Sequence, residues 1–456
     1  MVFNSYNFIL FFVPIVLITY YLSLKVKKKA LPQCVLIVAS IVFYITFGIY
    51  HALFILGSLF VNYLLSFISN KTEKMKVKKV VLISSIILNI IALISTKYLN
   101  FFYSSIVEIF NGQGSILDLF VPLGISYTTF QQIAYQVDTY RGETKTINFL
   151  EYSVFILFFV KALCGPIILQ SEFVTQLKDE KTYTPNYDNL ARGLYVFIIG
   201  LAKKVLIADV LASVVNSGYS DIPSLSSIDA LLVILGYTFQ IYFDFSGCCD
   251  MACGLSQMFN LKIINNFENP YQTNNILDFW KKWHISLTSF LRKYLYFPLG
   301  GNRKGKTRTL INIMIIFLVS GLWHGANWTF IVWGALHGIA NILMRVYGKY
   351  YNKMHSIIKW VLNFAFINLS WIFFRADTLK DAFLMINQLF TGGLFFSLTF
   401  SYICYILASF FIILLFKSKT NKTFNTNTYR LIFASILLVI CLLNFNQNIS
   451  FIYVNF

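Results

Sequence analysis

Charged side chains are scarce in this sequence. Asp, Glu, Lys and Arg make up 12% of its 456 residues, whereas a soluble protein of average composition carries roughly 25%. Hydrophobic residues account for 57% and aromatic residues for 18%. A chain of this length tolerates so few charges only when lipid solvates most of its side chains, so the composition excludes a soluble globular protein. It predicts an all-α polytopic membrane protein.

Metal-binding and nucleotide-binding motifs are also missing. The seven cysteines form no CxxC pair and no Cys/His spacing typical of zinc sites, so no metal and no bound cofactor are predicted. Cys248, Cys249 and Cys253 lie in an apolar run and are interpreted as small packing residues rather than a disulfide set. The glycine-rich segment 300–305 lacks the GxxxxGK[ST] spacing, which excludes a nucleotide-hydrolysing loop of that type.

Acidic residues are few relative to basic ones. The chain has 37 Lys and Arg against 19 Asp and Glu, a net charge of +18. The basic residues form short clusters between apolar runs, as at 25–29 and 71–79. This pattern is typical of cytoplasmic loops that face anionic membrane lipids, and it favours lipid over nucleic acid as the partner. Because the first cluster follows the apolar segment 7–24, that segment is predicted to be a signal anchor with its N-terminus outside.

Eleven apolar runs approach the roughly 20 residues that a membrane-spanning helix needs. They cover residues 7–24, 33–50, 52–69, 79–96, 149–170, 188–217, 228–258, 310–347, 357–374, 402–416 and 430–446. The longest of these runs have room for a kink or for more than one helical segment. Stretches 121–132 and 264–305 mix apolar residues with Pro, Gly and polar side chains, so both are predicted to be re-entrant or interfacial. The prediction is one integral membrane domain (1–456), divided into N-terminal helices (1–110), a catalytic core (111–376) and C-terminal helices (377–456).

His324 is the strongest candidate for a catalytic residue in a chain with only five histidines. It ends an apolar run beside Trp323, and Gly321 and Gly325 on either side allow another backbone or a substrate to approach closely. An imidazole, with an ordinary pKa of about 6.5, accepts and returns protons near neutral pH. Ionisable groups inside a membrane point to function. We therefore predict a catalytic base; the alternative is a core histidine hydrogen-bonded to a carbonyl.

His284 is the second candidate. If the segment from Asp278 onward is one helix, Asp278 and Lys282 are spaced i,i+4, and Trp280 and His284 share a face. Three roles for His284 are open: it orients His324, it binds the acceptor, or it caps a bend in an interfacial helix.

Two further polar residues in apolar runs are assigned lesser roles. His337 follows His324 by thirteen residues; if one helix ran through both, they would be about 20 Å apart along it, too far for direct contact. Asp244 needs compensating donors. A structural hydrogen-bonding role is favoured over a metal pair with Asp250, since no histidine accompanies them and six residues is a poor helical repeat.

Residues 281–308 contain eight Lys or Arg and no Asp or Glu. One interpretation is anchoring to lipid headgroups, where each basic residue gains about 1 kcal/mol near an anionic leaflet. The other is a site for a phosphate-bearing acyl donor. The candidate donor-binding or substrate-binding residues are Trp283, Trp323, Asn327, Arg292, Lys293, Arg303 and Lys304.

Several sequence blocks occur in a defined order along the chain. They include VPLGISYTTFQ (121–131), YQVDTYRG (135–142), CGPII (164–168), YFDFSG–CDMA–GL (242–255), DFWKKWHISLTSFLRKYLYFPLGGNRKG (278–305), SGLWHGANWTFIVWGALHG (320–338) and LSWIFFRA (369–376). In this order they resemble the membrane-bound O-acyltransferase (MBOAT) family, in particular its bacterial branch typified by the alginate O-acetylation protein. The resemblance covers roughly residues 1–376. Family members often carry Tyr-Ser where this chain has Cys248-Cys249.

The resemblance implies a ring of about eleven transmembrane helices, with re-entrant or interfacial helices, around a central tunnel. In that family an acyl donor, here acetyl-CoA or an acyl carrier thioester, enters from the cytoplasm. The residue matching His324 is catalytic, and the residue matching His284 is a second polar residue of the tunnel. The acyl group usually passes to an extracytoplasmic partner of the SGNH-hydrolase type, which modifies a polysaccharide acceptor.

The predicted protein is thus a multi-pass O-acyltransferase of the bacterial cytoplasmic membrane. It moves an acyl group, with acetyl favoured, across the membrane for O-acetylation of an extracytoplasmic polysaccharide, with His324 as general base. One alternative is D-alanyl transfer to teichoic acid from a carrier protein. The other is a non-enzymatic transporter of polysaccharide or lipid-linked sugar; such folds tend to contain paired repeats with interrupted helices, and the sequence shows none.

Overall fold

The structure is a computed structural model that describes residues 1–110, 117, 119–144, 147–163, 165–395, 397–415, 427–445 and 451–452. Within this part of the chain the secondary structure is helical and contains no strand, which confirms the all-α fold class. The α-helices in chain order are α1 (Val13–Leu24), α2 (Ala30–Ile45), α3 (Ile49–Lys71), α4 (Met75–Leu93), α5 (Leu99–Ile109), α6 (Ile125–Tyr140), α7 (Phe149–Leu157), α8 (Gln170–Lys178), α9 (Tyr187–Ala202), α10 (Asp209–Ser220), α11 (Ser227–Met258), α12 (Ile276–Lys282), α13 (Ile285–Leu291), α14 (Lys306–His324), α15 (Trp328–Tyr351), α16 (Ser356–Arg375), α17 (Leu379–Thr391), α18 (Phe400–Leu415) and α19 (Thr428–Leu443).

Seven helical segments of the described chain are long and apolar enough to cross a membrane, so the protein is a multi-pass membrane protein. They are Asn7–Leu24, Ile49–Lys71, Met75–Ile109, Ser227–Met258, Lys306–His324, Trp328–Tyr351 and Ser356–Arg375. Three shorter apolar helices, α2, α18 and α19, accompany them. The predicted number of eleven spans is not confirmed.

The differences from the predicted spans have local causes. In the run 149–170, α7 ends at Leu157 because Phe158 leaves the helical region (φ −39°, ψ 105°), and a 3₁₀ turn follows at Phe159–Lys161. The run 310–347 divides into α14 and α15. Residue 416 of the run 402–416, residue 446 of the run 430–446 and Cys164 of the block 164–168 lie outside the described residues.

The chain divides into two compact units. The first unit consists of residues 1–198, 249–264 and 426–435, and the second of residues 199–248, 265–425 and 436–456. The boundaries of these units do not coincide with the predicted division at residues 110 and 376. That division stays a prediction.

Buried amide side chains join α3, α4 and α6 within the first unit. Asn89 donates to the Asn62 side-chain oxygen over 2.7 Å, and Asn62 donates to Gln132 over 3.1 Å. Gln136 donates to the backbone carbonyl of Asn62 over 2.7 Å. Amides in apolar helices need such partners, because lipid offers none. This cluster, the Asn62 network, therefore fixes the three helices against one another.

The predicted re-entrant stretch 121–132 contributes the first half of α6. This helix begins after Gly124, whose φ of +69° is left-handed. A Cβ at Gly124 would lie 2.9 Å from the Ala162 carbonyl oxygen, so both the backbone conformation and the close approach require glycine. Neither α6 nor the stretch 264–305 is among the seven membrane-crossing segments. Their depth in the membrane stays a prediction.

In the second unit, α14 and α15 form a tight helical hairpin. A Cβ at Gly321 would lie 2.2 Å from the Phe330 carbonyl oxygen, and one at Gly334 would lie 2.4 Å from the Phe317 carbonyl oxygen. The two helices approach this closely only because glycine occupies both positions, as is common where membrane helices pack. The prediction that Gly321 admits a neighbouring backbone is confirmed, and the approaching backbone is that of α15.

Candidate active site

The turn of the hairpin places His324 at the end of α14. Gly325 has an extended backbone (φ −161°), and α15 begins three residues later at Trp328. A Cβ at Gly325 would lie 2.1 Å from the Phe330 ring, so a side chain rather than a substrate fills the space beside this glycine. The run 310–347 is therefore two helices, and no single helix runs from His324 to His337. Reversal of the chain brings Trp333 back beside His324, with 5.2 Å between the ring centroids.

Asn327 caps α15. Its side-chain oxygen accepts a hydrogen bond from the Thr329 N–H over 3.0 Å, and its amide donates to the Asp377 carbonyl over 2.8 Å. Asparagine is among the strongest N-cap residues. This structural role accounts for Asn327, whose part in donor binding stays a prediction.

Substitutions at Asn327 separate the two roles. We expect Asn327→Ala to lower the free energy of unfolding by about 1 kcal/mol, because the first turn of α15 loses its cap. Asn327→Ser should keep both stability and acyl transfer, because serine caps equally well. Thermal unfolding in detergent measures the first effect, and ester formation in membranes measures the second. A serine variant that is stable but inactive would instead support contact with the donor.

His284 lies in the connection between α12 and α13, not on a continuous helix. α12 ends at Lys282, and His284 has a left-handed backbone (φ +46°) as the N-cap residue of α13. The prediction that Trp280 and His284 share a helical face is therefore wrong. In the same region Asp278 pairs with Lys281 over 2.8 Å rather than with Lys282.

The left-handed conformation of His284 is uncommon for a residue with a side chain. Asn266, which is fully buried, braces this backbone: its carbonyl accepts from the Ile285 N–H over 3.1 Å, and its side chain accepts from the Ser286 N–H over 3.0 Å. Strained backbone held in place by its surroundings is concentrated at functional sites. Burial lowers the pKa of His284 to about 3, so its imidazole is neutral at physiological pH.

The two candidate histidines lie together. His284 is 0% and His324 is 2% exposed, and their ring centroids are 6.1 Å apart. Trp323 contacts both rings, at 5.9 Å from His284 and 5.0 Å from His324. Phe245 packs on His284 at 4.8 Å, and Phe374 packs on His324 at 5.2 Å. The structure therefore brings the two histidines into one aromatic enclosure within the second unit.

His337 belongs to the same aromatic cluster. It contacts Trp333 at 4.9 Å, on a ring that also contacts His324. Its Nδ1 accepts from the Trp280 indole over 3.2 Å, so Nε2 carries the proton and donates to Ser370 Oγ over 3.0 Å. The distance argument that gave His337 a lesser role assumed one continuous helix. The hydrogen bonds now assign it a structural role, since both ring nitrogens are bonded.

The other predicted site residues make aromatic or cation–π contacts of their own or are exposed. Trp283 is buried against Trp371 at 5.0 Å. Arg292 stacks on Phe297 at 5.7 Å and Lys293 on Tyr294 at 5.1 Å. Arg292 is exposed, as are two further basic residues, Arg303 and Lys304. Their roles in donor binding or headgroup binding both stay predictions.

A buried ion cluster anchors Asp244. Lys204 Nζ lies 2.6 Å from Asp244 and 2.7 Å from Asp209, and the Ile452 N–H donates to Asp244 over 2.9 Å. These contacts supply the compensating donors that the sequence required for Asp244, and they confirm its structural role. Lys204 itself was missed. A lysine within the apolar run 188–217 was the available signal, because such a charge requires an acidic partner.

Cysteine and metal predictions have different outcomes. Cys249 is buried and outside any disulfide, but Cys248 is disulfide-bonded, so the packing interpretation is wrong for Cys248. Among the described residues, no three His, Cys, Asp or Glu side chains converge as metal ligands would. The absence of a metal and of a bound cofactor stays a prediction.

Fold and site together define a class: a multi-pass helical membrane protein with ionisable side chains enclosed by aromatic residues in its interior. The sequence profile of "MBOAT, membrane-bound O-acyltransferase family" matches residues 80–378. The chain belongs to this family and is an acyltransferase.

Individual relatives agree with this assignment. The chain is 40% identical over 412 residues to the peptidoglycan O-acetyltransferase of Helicobacter pylori, covering 84% of this chain and 78% of the relative. It is 36% identical over 400 residues to the probable alginate O-acetylase AlgI of Pseudomonas aeruginosa, covering 86% and 75%. Similarity to the teichoic acid D-alanyltransferase of Bacillus subtilis is lower, 29% over 249 residues, covering 52% and 62%. Membership of an acyltransferase family favours the enzyme over the transporter alternative.

Proposed function

We propose that the protein moves an acetyl group from a cytoplasmic thioester donor, acetyl-CoA or an acyl carrier, across the bacterial cytoplasmic membrane for O-acetylation of an extracytoplasmic polysaccharide or peptidoglycan. The observation that carries the proposal is the buried pair of His284 and His324, 6.1 Å apart between ring centroids, in a chain similar to two O-acetylating relatives. A ring of helices around a tunnel, as in the family, would give donor and acceptor access from opposite sides.

The chemistry proposed for the site is general base catalysis by His324. The oxygen of an acceptor hydroxyl attacks the thioester carbonyl carbon while His324 takes the hydroxyl proton. The tetrahedral intermediate then expels the thiolate, which receives that proton, so that an ester and a thiol are the products. A thioester is already activated, so orientation, a base and exclusion of water supply most of the catalysis.

His284 is proposed to position the acceptor. An oxygen hydrogen-bonded to an imidazole lies about 4 Å from the ring centre. One hydroxyl can therefore bond to both rings at their observed separation of 6.1 Å. In this arrangement His324 removes the proton, and the neutral His284 orients the oxygen.

The basic segment 281–308 is proposed to guide the donor's phosphates on the cytoplasmic side. Its residues Arg292, Arg303 and Lys304 are exposed and so are accessible to a phosphate-bearing ligand. An extracytoplasmic SGNH-hydrolase-like acetyltransferase is proposed as the protein that completes the transfer.

This proposal is tested by comparing the envelope polymers of three strains: one with the gene, a deletion strain and the complemented deletion strain. Mild alkali releases ester-linked groups, and mass spectrometry identifies them. We expect acetate to disappear in the deletion strain and to return on complementation. Loss of D-alanine from wall polymers would instead support D-alanyl transfer. This alternative is less favoured because the chain is less similar to the D-alanyltransferase than to the O-acetylating relatives. Unchanged acetate and D-alanine would contradict both.

A further inference from the structure

The Trp333 indole N–H is an unexplained donor beside the proposed catalytic base. Trp333 is fully buried, and among the described residues its Nε1 has no hydrogen-bond partner. Its ring lies 5.2 Å from His324, at an interplanar angle of 90°. Leaving a buried donor unsatisfied costs about 1–3 kcal/mol. An unsatisfied donor in a folded protein therefore calls for an explanation, and a catalytic role is one of the recognised ones.

The neighbouring indoles are bonded. Trp371 Nε1 donates to the Tyr271 hydroxyl over 3.1 Å, and Trp280 Nε1 donates to His337 over 3.2 Å. Trp333 is in contact with both rings, so the three indoles share one environment. Only the N–H of Trp333, among these three, is left for a ligand.

The Trp333 ring is also rigidly held. It stacks on Trp371 at 5.8 Å with an interplanar angle of 16°, and Phe374 packs on it at 5.1 Å. Gly334, the next residue, fixes the backbone of α15 against α14. A donor held in this way needs no reorganisation when charge develops near it, which is the condition for effective electrostatic catalysis.

We propose that the Trp333 indole N–H stabilises the oxyanion that forms on the thioester carbonyl oxygen. This inference rests on the proposed function. When the acceptor oxygen bonds to the carbonyl carbon, the carbonyl electron pair moves to its oxygen, and the hydroxyl proton moves to His324. The Trp333 N–H donates to that negative oxygen until the carbon–sulfur bond breaks. Trp333 is thereby a catalytic residue in addition to His324.

Trp333→Phe tests the proposal, because it keeps an aromatic ring and removes the donor. We expect ester formation per enzyme to fall about 10²-fold, the typical cost of losing one oxyanion donor. The melting temperature should fall less than in Trp371→Phe, since both variants leave the same smaller ring but Trp333→Phe breaks no hydrogen bond. The measurements are incorporation of radiolabelled acetate into alkali-labile envelope ester by the deletion strain expressing each variant, and thermal unfolding of the purified protein.

Trp371→Phe is the matched control, since it removes an indole N–H that is already bonded. It should lower the melting temperature and change ester formation by only a few fold. A Trp333→Phe variant with wild-type ester formation, or one that loses stability and activity in the same proportion as Trp371→Phe, would overturn the oxyanion role. Unchanged ester-linked acetate in the deletion strain would contradict the proposed function itself, so the two failures are distinguishable.

Discussion

Replacing His324 by alanine should reduce ester formation by about 10³-fold, to the background of the deletion strain. General base catalysis contributes roughly 10²–10⁴-fold to the rate. Among the described residues, the other imidazoles near His324 or its neighbour Trp333 are His284 and His337. His337 has both ring nitrogens bonded to other groups. Alkali-released acetate, compared at equal membrane levels of the two proteins, measures the effect.

Two variants control this experiment. His324→Asn retains a polar side chain of similar size, and we expect it to be as inactive as the alanine variant, because an amide does not accept a proton near neutral pH. His355→Ala removes an exposed histidine at the start of α16 and should leave ester formation unchanged. Wild-type acetylation by His324→Ala would exclude the assignment of His324 as the base.

Replacing Gly334 by alanine should produce the second large effect. The added Cβ would lie 2.4 Å from the Phe317 carbonyl oxygen, so α14 and α15 must separate. Overpacking of this kind typically destabilises by about 1–3 kcal/mol. Separation also displaces His324 from Trp333, and a displacement of about 1 Å at a reacting centre lowers the rate roughly 10²-fold. Thermal unfolding and ester formation measure the two consequences.

Gly57→Ala is the same chemical change at a position without such a neighbour. No atom lies within 4 Å of a Cβ built at Gly57, which is inside α3. We expect its stability to be unchanged or slightly raised, because alanine has the higher helix propensity, and its activity to be that of the wild type. If the two glycine variants behave alike, close contact between α14 and α15 is not what positions the site.

The fold class follows from sequence, and the family resemblance implied that His284 and His324 share one tunnel, but the connections between helices do not follow from either. Apolar run length predicts membrane helices, yet it does not show that Phe158 ends α7 or that Gly325 begins a reversal. His337 illustrates the consequence, since its distance from His324 was inferred only for the case of one helix through both residues, and the chain reverses between them. The backbone at His284 was also invisible to helical periodicity, because a left-handed residue interrupts the pattern without a glycine or proline to mark it.

The sequence also did not predict which buried polar side chains contact one another. Lys204 and Asp209 come from one region of the chain and Asp244 from another, so their cluster required the folded arrangement. A buried charge signals only that some partner exists. Trp333 was visible as a residue of the family-like block 320–338, but its unsatisfied N–H is a property of packing and has no counterpart in sequence.

The Asn62 network carries a consequence for membrane insertion. Asn62 and Asn89 lie on α3 and α4, which are consecutive and joined by a short connection, residues 72–74. Their mutual hydrogen bond lets the pair enter lipid as a helical hairpin with both amides satisfied, before α6 has been synthesised. When α6 arrives, Gln132 finds a donor, the Asn62 amide, and Gln136 finds an acceptor, the Asn62 carbonyl, already in place. The order of synthesis therefore matches the order in which these polar groups can be removed from water, and each amide has a partner at the step where it leaves the translocation machinery.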